Sequence, residues 1–152
     1  MRILAIDPGT HCGWAVSDIE SGVWDLSIKR NESADVRFVR LRNHLETILP
    51  VELIVYEEVQ RHLGTYAAHI YGGILAILQT FCVDHHIGFC GCPVGTLKKY
   101  ATGSGKAGKE EMIRAAARFF PDARIIDDNH ADALCLLRWA QEQFRVAVEC
   151  EG

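Results

Sequence analysis

Four apolar residues, Ile3-Leu4-Ala5-Ile6, run straight into Asp7 and the turn formers Pro8-Gly9-Thr10. A short apolar run closed by such residues reads as a buried strand. The chain is therefore committed to a sheet almost from its first residue, with a carboxylate at the end of that strand. An unpaired carboxylate at the edge of a core costs several kcal/mol or takes up a proton. A cation, a phosphate held with a metal, or a helix terminus would offset the cost. The structural alternative is an Asp-Pro-Gly turn, in which all three residues serve only the backbone.

Two further acidic positions favour the functional reading. Leu53-Ile54-Val55-Tyr56 is a second apolar strand, and it ends in Glu57-Glu58. The stretch Asp127-Asp128-Asn129-His130-Ala131-Asp132, followed by Ala133-Leu134-Cys135-Leu136-Leu137, has the acidic opening and apolar continuation of a helix. Asp128, Asn129 and Asp132 then share one helical face, since residues three and four apart lie about 5–6 Å from each other. A strand-end Asp, a strand-end Glu and a helix-borne Asp together describe an oxygen-only site for a hard cation. Magnesium is usually held this way, by few carboxylates with water and substrate phosphate completing the shell.

A length of 152 residues fits a single domain over 1–152, and 49% hydrophobic with 24% charged residues is the composition of a soluble globular protein. No charge-free apolar stretch reaches membrane-spanning length, and the N-terminus lacks the pattern of a signal peptide, so a cytoplasmic protein without a membrane partner is expected. The six cysteines (Cys12, Cys82, Cys90, Cys92, Cys135 and Cys150) lie mostly inside apolar runs and read as buried thiols. Cys90-Gly91-Cys92 has no matching pair for a structural zinc site. The net charge of −4 does not advertise a nucleic-acid binder, but Lys98, Lys99, Lys106, Lys109, Arg114 and Arg118 are concentrated in a stretch whose only acids are Glu110 and Glu111. That local basic patch matters more than the total, although a solvated helical face would look similar.

Along the chain, strands are expected over 2–7, 12–18 and 22–28, joined as an antiparallel meander by turns at Pro8-Gly9 and Ser21-Gly22. Phe38, Leu41, Leu45 and Ile48 recur at helical spacing within 35–49, and Pro50 closes the pattern. A strand over 52–57, a long apolar helix from Tyr66 to Asp84 and a fifth strand through Gly88–Cys92 follow. Gly72-Gly73 inside that helix suggests that another element comes close, as in a helix pair or a dimer contact. Pro93 opens a short helix through Lys98-Lys99, Gly103-Ser104-Gly105 breaks it, and helices over Lys109–Phe120 and about Asn129–Phe144 complete the order. The expectation is an α/β fold with a mixed five-stranded sheet flanked by helices.

These residues resemble the RuvC-type Holliday-junction resolvases of the ribonuclease-H-like superfamily. Ile3 to Thr10 is similar to that family's first strand with its leading aspartate, and Tyr56-Glu57-Glu58-Val59 to its second acidic motif. Pro93 through Lys109, with Leu97-Lys98-Lys99, Gly103 and Gly105, is similar to its Pro-x-x-x-x-Lys segment, glycine pair and following lysine, and Ala131-Asp132-Ala133-Leu134 to its closing helix. Each motif is common, but four in order at compatible spacing are specific. The resemblance implies a ribonuclease-H-like fold and a homodimer that binds four-way or branched DNA and nicks it in pairs, leaving 5′-phosphate and 3′-hydroxyl ends. It implies two magnesium ions per site, with manganese substituting. Asp7 would be shared between the ions, Glu57 would complete one shell and Asp132 the other. Lys109, and secondarily Lys98, would stand near the scissile phosphate. DNA contacts are expected from Arg61, Lys98, Lys99, Gly103, Gly105, Lys106 and Lys109, the two glycines letting the loop backbone approach the strand. The chain departs from the family at Asn129, where aspartate or histidine is usual. Asn129 and Asp128 are equal candidates to complete the metal site, with His130 third. It departs again at Gln60, where a junction-wedging aromatic is frequent; Tyr66 or His62 stands nearby.

Other readings are weaker. Asp7-Pro8-Gly9-Thr10 also resembles the phosphate turn of actin-like ATPases, but these need two related domains. A YqgF-type RNA-processing nuclease shares the fold and first motif but not the glycine and lysine segment, and a non-catalytic branched-DNA binder would explain Asn129. Trp14, Trp24 and Trp139 read as packing rather than base-stacking residues. His85-His86 reads as a helix-terminus cap.

Overall fold

The alternation of apolar residues in the first strand already decides how the layers are arranged, because successive side chains of a strand point to opposite faces. The computed structural model describes residues 1–62 and 64–151, the side chains beyond residue 145 excepted. Its elements are β1 (Ile3–Asp7), β2 (His11–Ala15), β3 (Ser21–Asp25), α1 (Val36–Ile48), β4 (Leu53–Glu58), α2 (Thr65–Asp84), β5 (Gly88–Pro93), α3 (Val94–Thr102), α4 (Lys109–Phe119) and α5 (Asp128–Glu151). The five strands form one sheet in the order β3-β2-β1-β4-β5. β1, β2 and β3 pair antiparallel, whereas β4 runs parallel to both β1 and β5. The expected α/β class and mixed five-stranded sheet are therefore found.

Both faces of the sheet are covered. Ile3, Ala5, Leu53 and Val55 pack with Leu97, Met112, Ala131, Leu134 and Cys135 from α3, α4 and α5. Leu4, Ile6, Ile54 and Tyr56 point the other way, into a second core with Leu41 and Leu45 of α1 and Ile74, Leu78 and Phe81 of α2. Burial on both sides is why β1 and β4 read as continuous apolar runs. Small residues at Ala5, Ala15, Ala131 and Ala133 let α5 lie close to the sheet.

Three expectations are corrected. β2 ends at Ala15, earlier than 18, because the N–H groups of Val16 and Ser17 donate to the Glu20 carbonyl (2.9 and 3.3 Å) and close the hairpin, and β3 ends at Asp25, earlier than 28, where the Asp25 carboxylate turns onto the backbone N–H and hydroxyl of Ser27. α5 continues to Glu151 instead of stopping near Phe144, as its last turns contain no helix breaker. Of the glycine pair in α2, a Cβ at Gly73 would stand 2.4 Å from the Phe38 ring of α1, whereas one at Gly72 would meet nothing within 4 Å. The close approach thus belongs to Gly73 alone.

Candidate metal centre

Asp7 and Glu57 reach the site because β1 and β4 are parallel neighbours. Ile6 pairs with Tyr56, so the next residue of each strand, Asp7 and Glu57, stands beside the other where the strands end. The twofold period that turns Ile3, Ala5, Leu53 and Val55 toward α5 turns these two carboxylates the same way. α5 supplies Asp132 from above. Ligand oxygens of Asp7, Glu57 and Asp132 all lie within 4.8 Å of one another, and among the described residues these three are close enough to share a metal ion.

Electrostatically the cluster is frustrated on its own. Burial, followed by the repulsion of Glu57 and Asp132, pushes the Asp7 carboxyl well above its ordinary range. Burial likewise raises Glu57, opposed by its hydrogen bond to Asp7 and by the Lys98 ammonium. Asp132 is pushed up to about 8, by burial first and by Glu57 and Asp128 next. Glu57 is only 7% exposed, and its Oε2 is buried without a hydrogen-bond partner. A buried acceptor left unpaired costs about 1–3 kcal/mol. A divalent cation would relieve the repulsion and satisfy that oxygen together, and an all-oxygen donor set suits magnesium or manganese.

The first turn of α5 decides which neighbours join. Asp127 caps the helix, its Oδ1 accepting the His130 N–H at 2.9 Å. Asp128 lines a cavity of about 220 Å³ with Glu57, Lys98, Ala107, Gly108, Lys109, Met112 and Asp132. The Asn129 side chain instead donates to Asp127 Oδ2 at 3.4 Å, and His130 is bonded to Ile126 and Ser21. Of the three candidates, only Asp128 faces the cavity.

The expected basic residues divide similarly. Lys98 and Lys109 line the cavity, the Lys109 Nζ lying 3.7 Å from Asp128 Oδ2. Lys99 and Lys106 are exposed and are not among the residues lining this cavity. Arg61 lines a neighbouring cavity of about 370 Å³ with Glu58, Gln60 and Pro93. The two glycines shape the loop that follows α3. Gly103 adopts φ +87° to end α3, its N–H donating to the Lys99 carbonyl, and a Cβ on Gly105 would make only ordinary contact with the Gly95 carbonyl at 3.6 Å. Gly103 serves the left-handed helix end that glycine favours.

One position that sequence reasoning passed over is Gly13, which pairs with Asp7 across β1 and β2. A Cβ there would lie 1.9 Å from the Asn129 carbonyl oxygen. The missing side chain is thus the seat for the start of α5. A glycine inside a strand pattern was the available signal, since it marks a close backbone approach.

Outside the centre, Trp14 and Trp24 stack at 5.1 Å, and Trp24 is buried, as expected for packing residues. The described cysteines are free thiols; Cys150 lies outside the described side chains. His85 stands at the C-terminal cap of α2, as expected, its backbone N–H donating to the Phe81 carbonyl, while its ring lies against Phe81 and 3.5 Å from Glu46.

No protein-family model matches the chain. A curated relative, the crossover junction endodeoxyribonuclease RuvC of Gluconobacter oxydans, is 27% identical over 155 aligned positions, covering 90% of this chain and 87% of the relative. The solved Thermus thermophilus RuvC superposes with a TM-score of 0.77 at 22% identity, covering 97% of both chains. The T. thermophilus RuvC solved in complex with a Holliday junction substrate gives 0.69 at 21% identity, covering 94% of this chain and 96% of the other. The chain is thus similar to RuvC in sequence over nine-tenths of its length, and it shares the fold of the solved RuvC over nearly all of it.

Proposed function

We propose that residues 1–152 form a single nuclease domain, a structure-selective endodeoxyribonuclease that resolves Holliday junctions or other branched DNA in the cytoplasm. Paired hydrolysis would leave 5′-phosphate and 3′-hydroxyl ends. The observation that carries this reading is the convergence of Asp7, Glu57 and Asp132 within 4.8 Å around a buried oxygen that has no partner. The names of the relatives, a crossover junction endodeoxyribonuclease and a RuvC solved with a Holliday junction, supply the substrate class.

Asp7, Glu57 and Asp132, with Asp128 at the rim, would hold two magnesium or manganese ions. Such ions supply a deprotonated water near neutral pH and stabilise charge on the leaving oxygen. The protein's own part is to fix the carboxylates on rigid strand ends and one helix, and to place cations where phosphate charge grows. Lys98 and Lys109 are suited to that, lining the same cavity as the acids. Arg61, Lys99, Lys106 and the backbone around Gly103 and Gly105 would hold flanking phosphates. Magnesium-dependent nicking of synthetic four-way, three-way, flap and linear DNA tests the reading: branched substrates should be cut and linear duplex spared. Binding without nicking would favour the non-catalytic binder instead.

Lys98→Ala is expected to weaken junction binding and to reduce the slope of log affinity against log salt by about one, because fewer counterions are released. Fluorescence anisotropy across a salt series checks this, and an unchanged slope would remove Lys98 from the phosphate contacts.

The homodimer implied by the resemblance would form through α2. Contrary to the expectation from sequence, this helix is long and apolar enough to cross a membrane, but its inner side, Ile74, Leu78, Phe81 and Cys82, already packs in the core against the sheet. Its outer side exposes Tyr66, His69, Gly72, Ala76, Thr80 and Val83, a face small enough for a second helix to approach closely. Ala76→Arg should convert a dimer to a monomer in sedimentation velocity; identical sedimentation of both proteins would move the interface elsewhere.

A further inference from the structure

We propose that His130 is a positioning residue for the acidic centre, holding the first turn of α5 so that Asp128 and Asp132 face the cavity. This rests on the metal-dependent nuclease reading above. His130 lies two residues from each of these acids, about 200° around the helix, so its side chain leaves α5 on the side away from the carboxylates. It is 2% exposed and fully engaged. The Ile126 N–H donates to Nδ1 at 3.0 Å, so the ring proton resides on Nε2, which donates to Ser21 Oγ at 2.8 Å. The Ser21 hydroxyl in turn donates to the Asp18 carbonyl at 3.1 Å.

This relay ties the helix start to the β2–β3 hairpin, 109 residues away in sequence. Two other contacts act on the same turn: the Asp127 cap on the His130 N–H, and the seat of the Asn129 carbonyl against Gly13. The cap and the seat fix how close the helix lies. A bond made at the helix side opposite the acids fixes its rotation. Rotation is what separates Asp128 from Asn129, since adjacent helical residues differ by about 100°. The relay therefore accounts for the presence of Asp128 in the cavity and for the turning of Asn129 toward Asp127.

The test is the midpoint of Mn²⁺ binding, followed by paramagnetic resonance of the free ion well below the melting temperature, for wild type, His130→Ala, His130→Gln, Ser21→Ala and the His130→Ala/Ser21→Ala pair. His130→Ala is expected to weaken binding about 10–100-fold, the range seen when groups supporting metal ligands are removed. Ser21→Ala should act in the same direction but less, and the pair should be no worse than His130→Ala alone. His130→Gln keeps a donor toward Ser21 and should recover most of the affinity. If His130→Ala does not fold, Ser21→Ala and His130→Gln carry the same comparison. Variants that melt earlier but bind Mn²⁺ like wild type would overturn the proposal and leave His130 a purely structural residue. Wild type that binds no Mn²⁺ would overturn the nuclease reading itself, and this proposal with it.

Discussion

Asp7→Asn and Asp132→Asn each abolish nicking of a four-way junction, a loss on the order of 10³-fold or more, the scale on which preorganised charge-stabilising groups act, while junction binding is retained. The reason is that these side chains face one another inside the site, within 4.8 Å, whereas phosphate contacts are assigned to the lysines around it. A second effect runs in the opposite direction. In the metal-free fold the Asp132 carboxyl is raised from 3.8 to about 8, by burial first. The folded state then binds more protons than the unfolded state between those values, so metal-free stability is greatest below the lower one and falls as pH rises toward the upper. Asp132→Asn removes that slope. At pH 8 without metal it should melt a few degrees above wild type, given about 2–4 °C per kcal/mol for a domain of this size. Magnesium should stabilise wild type and leave the variant unmoved. Loss of both folding and binding in the two variants, or full nicking by either, contradicts the assignment; gel assays and melting scans decide.

Gly13→Ala, although it adds one methyl group, is expected to be the most damaging small substitution in the chain. Its Cβ would stand 1.9 Å from the Asn129 carbonyl oxygen and 2.5 Å from the carbonyl carbon. Backbone on both sides leaves no flexible side chain to give way, so α5 must retreat. Overpacking costs typically 1–3 kcal/mol, and a rigid partner places this case near the top, about 3 kcal/mol, or roughly 6–12 °C in melting temperature. Because α5 carries Asp128 and Asp132, nicking should also fall about 10²-fold even at temperatures where the variant is folded, as a misplacement of about 1 Å does elsewhere. Denaturant titration and nicking rates at low temperature test the two effects separately. A variant with wild-type stability would mean that α5 is not seated on Gly13.

The acidic centre was legible in sequence where local pattern alone identifies position. Asp7 and Glu57 each follow an apolar strand, and Asp132 lies in the opening turns of an amphipathic helix, so their elements could be named even though their convergence depends on β1 and β4 being parallel neighbours. The choice between Asp128 and Asn129 was not legible. It depends on the phase of α5 to within one residue, and that phase is assigned to a bond from His130 to Ser21 of β3, 109 residues away in sequence. Gly13 was legible only in part: a glycine inside a strand signals a close approach, but that the approaching element is the start of α5 is seen only in the packed fold. Gly103 has a second role that the sequence did not separate from a close backbone approach, since a left-handed helix end also calls for glycine.

The most direct test of the central claim is a Mn²⁺ titration of the full chain at pH 8, with bound ions counted per chain. Saturable binding of two ions in wild type, lost or reduced in Asp7→Asn, Glu57→Gln and Asp132→Asn, is the predicted result. No saturable binding in wild type, or binding unchanged by all three substitutions, would contradict it.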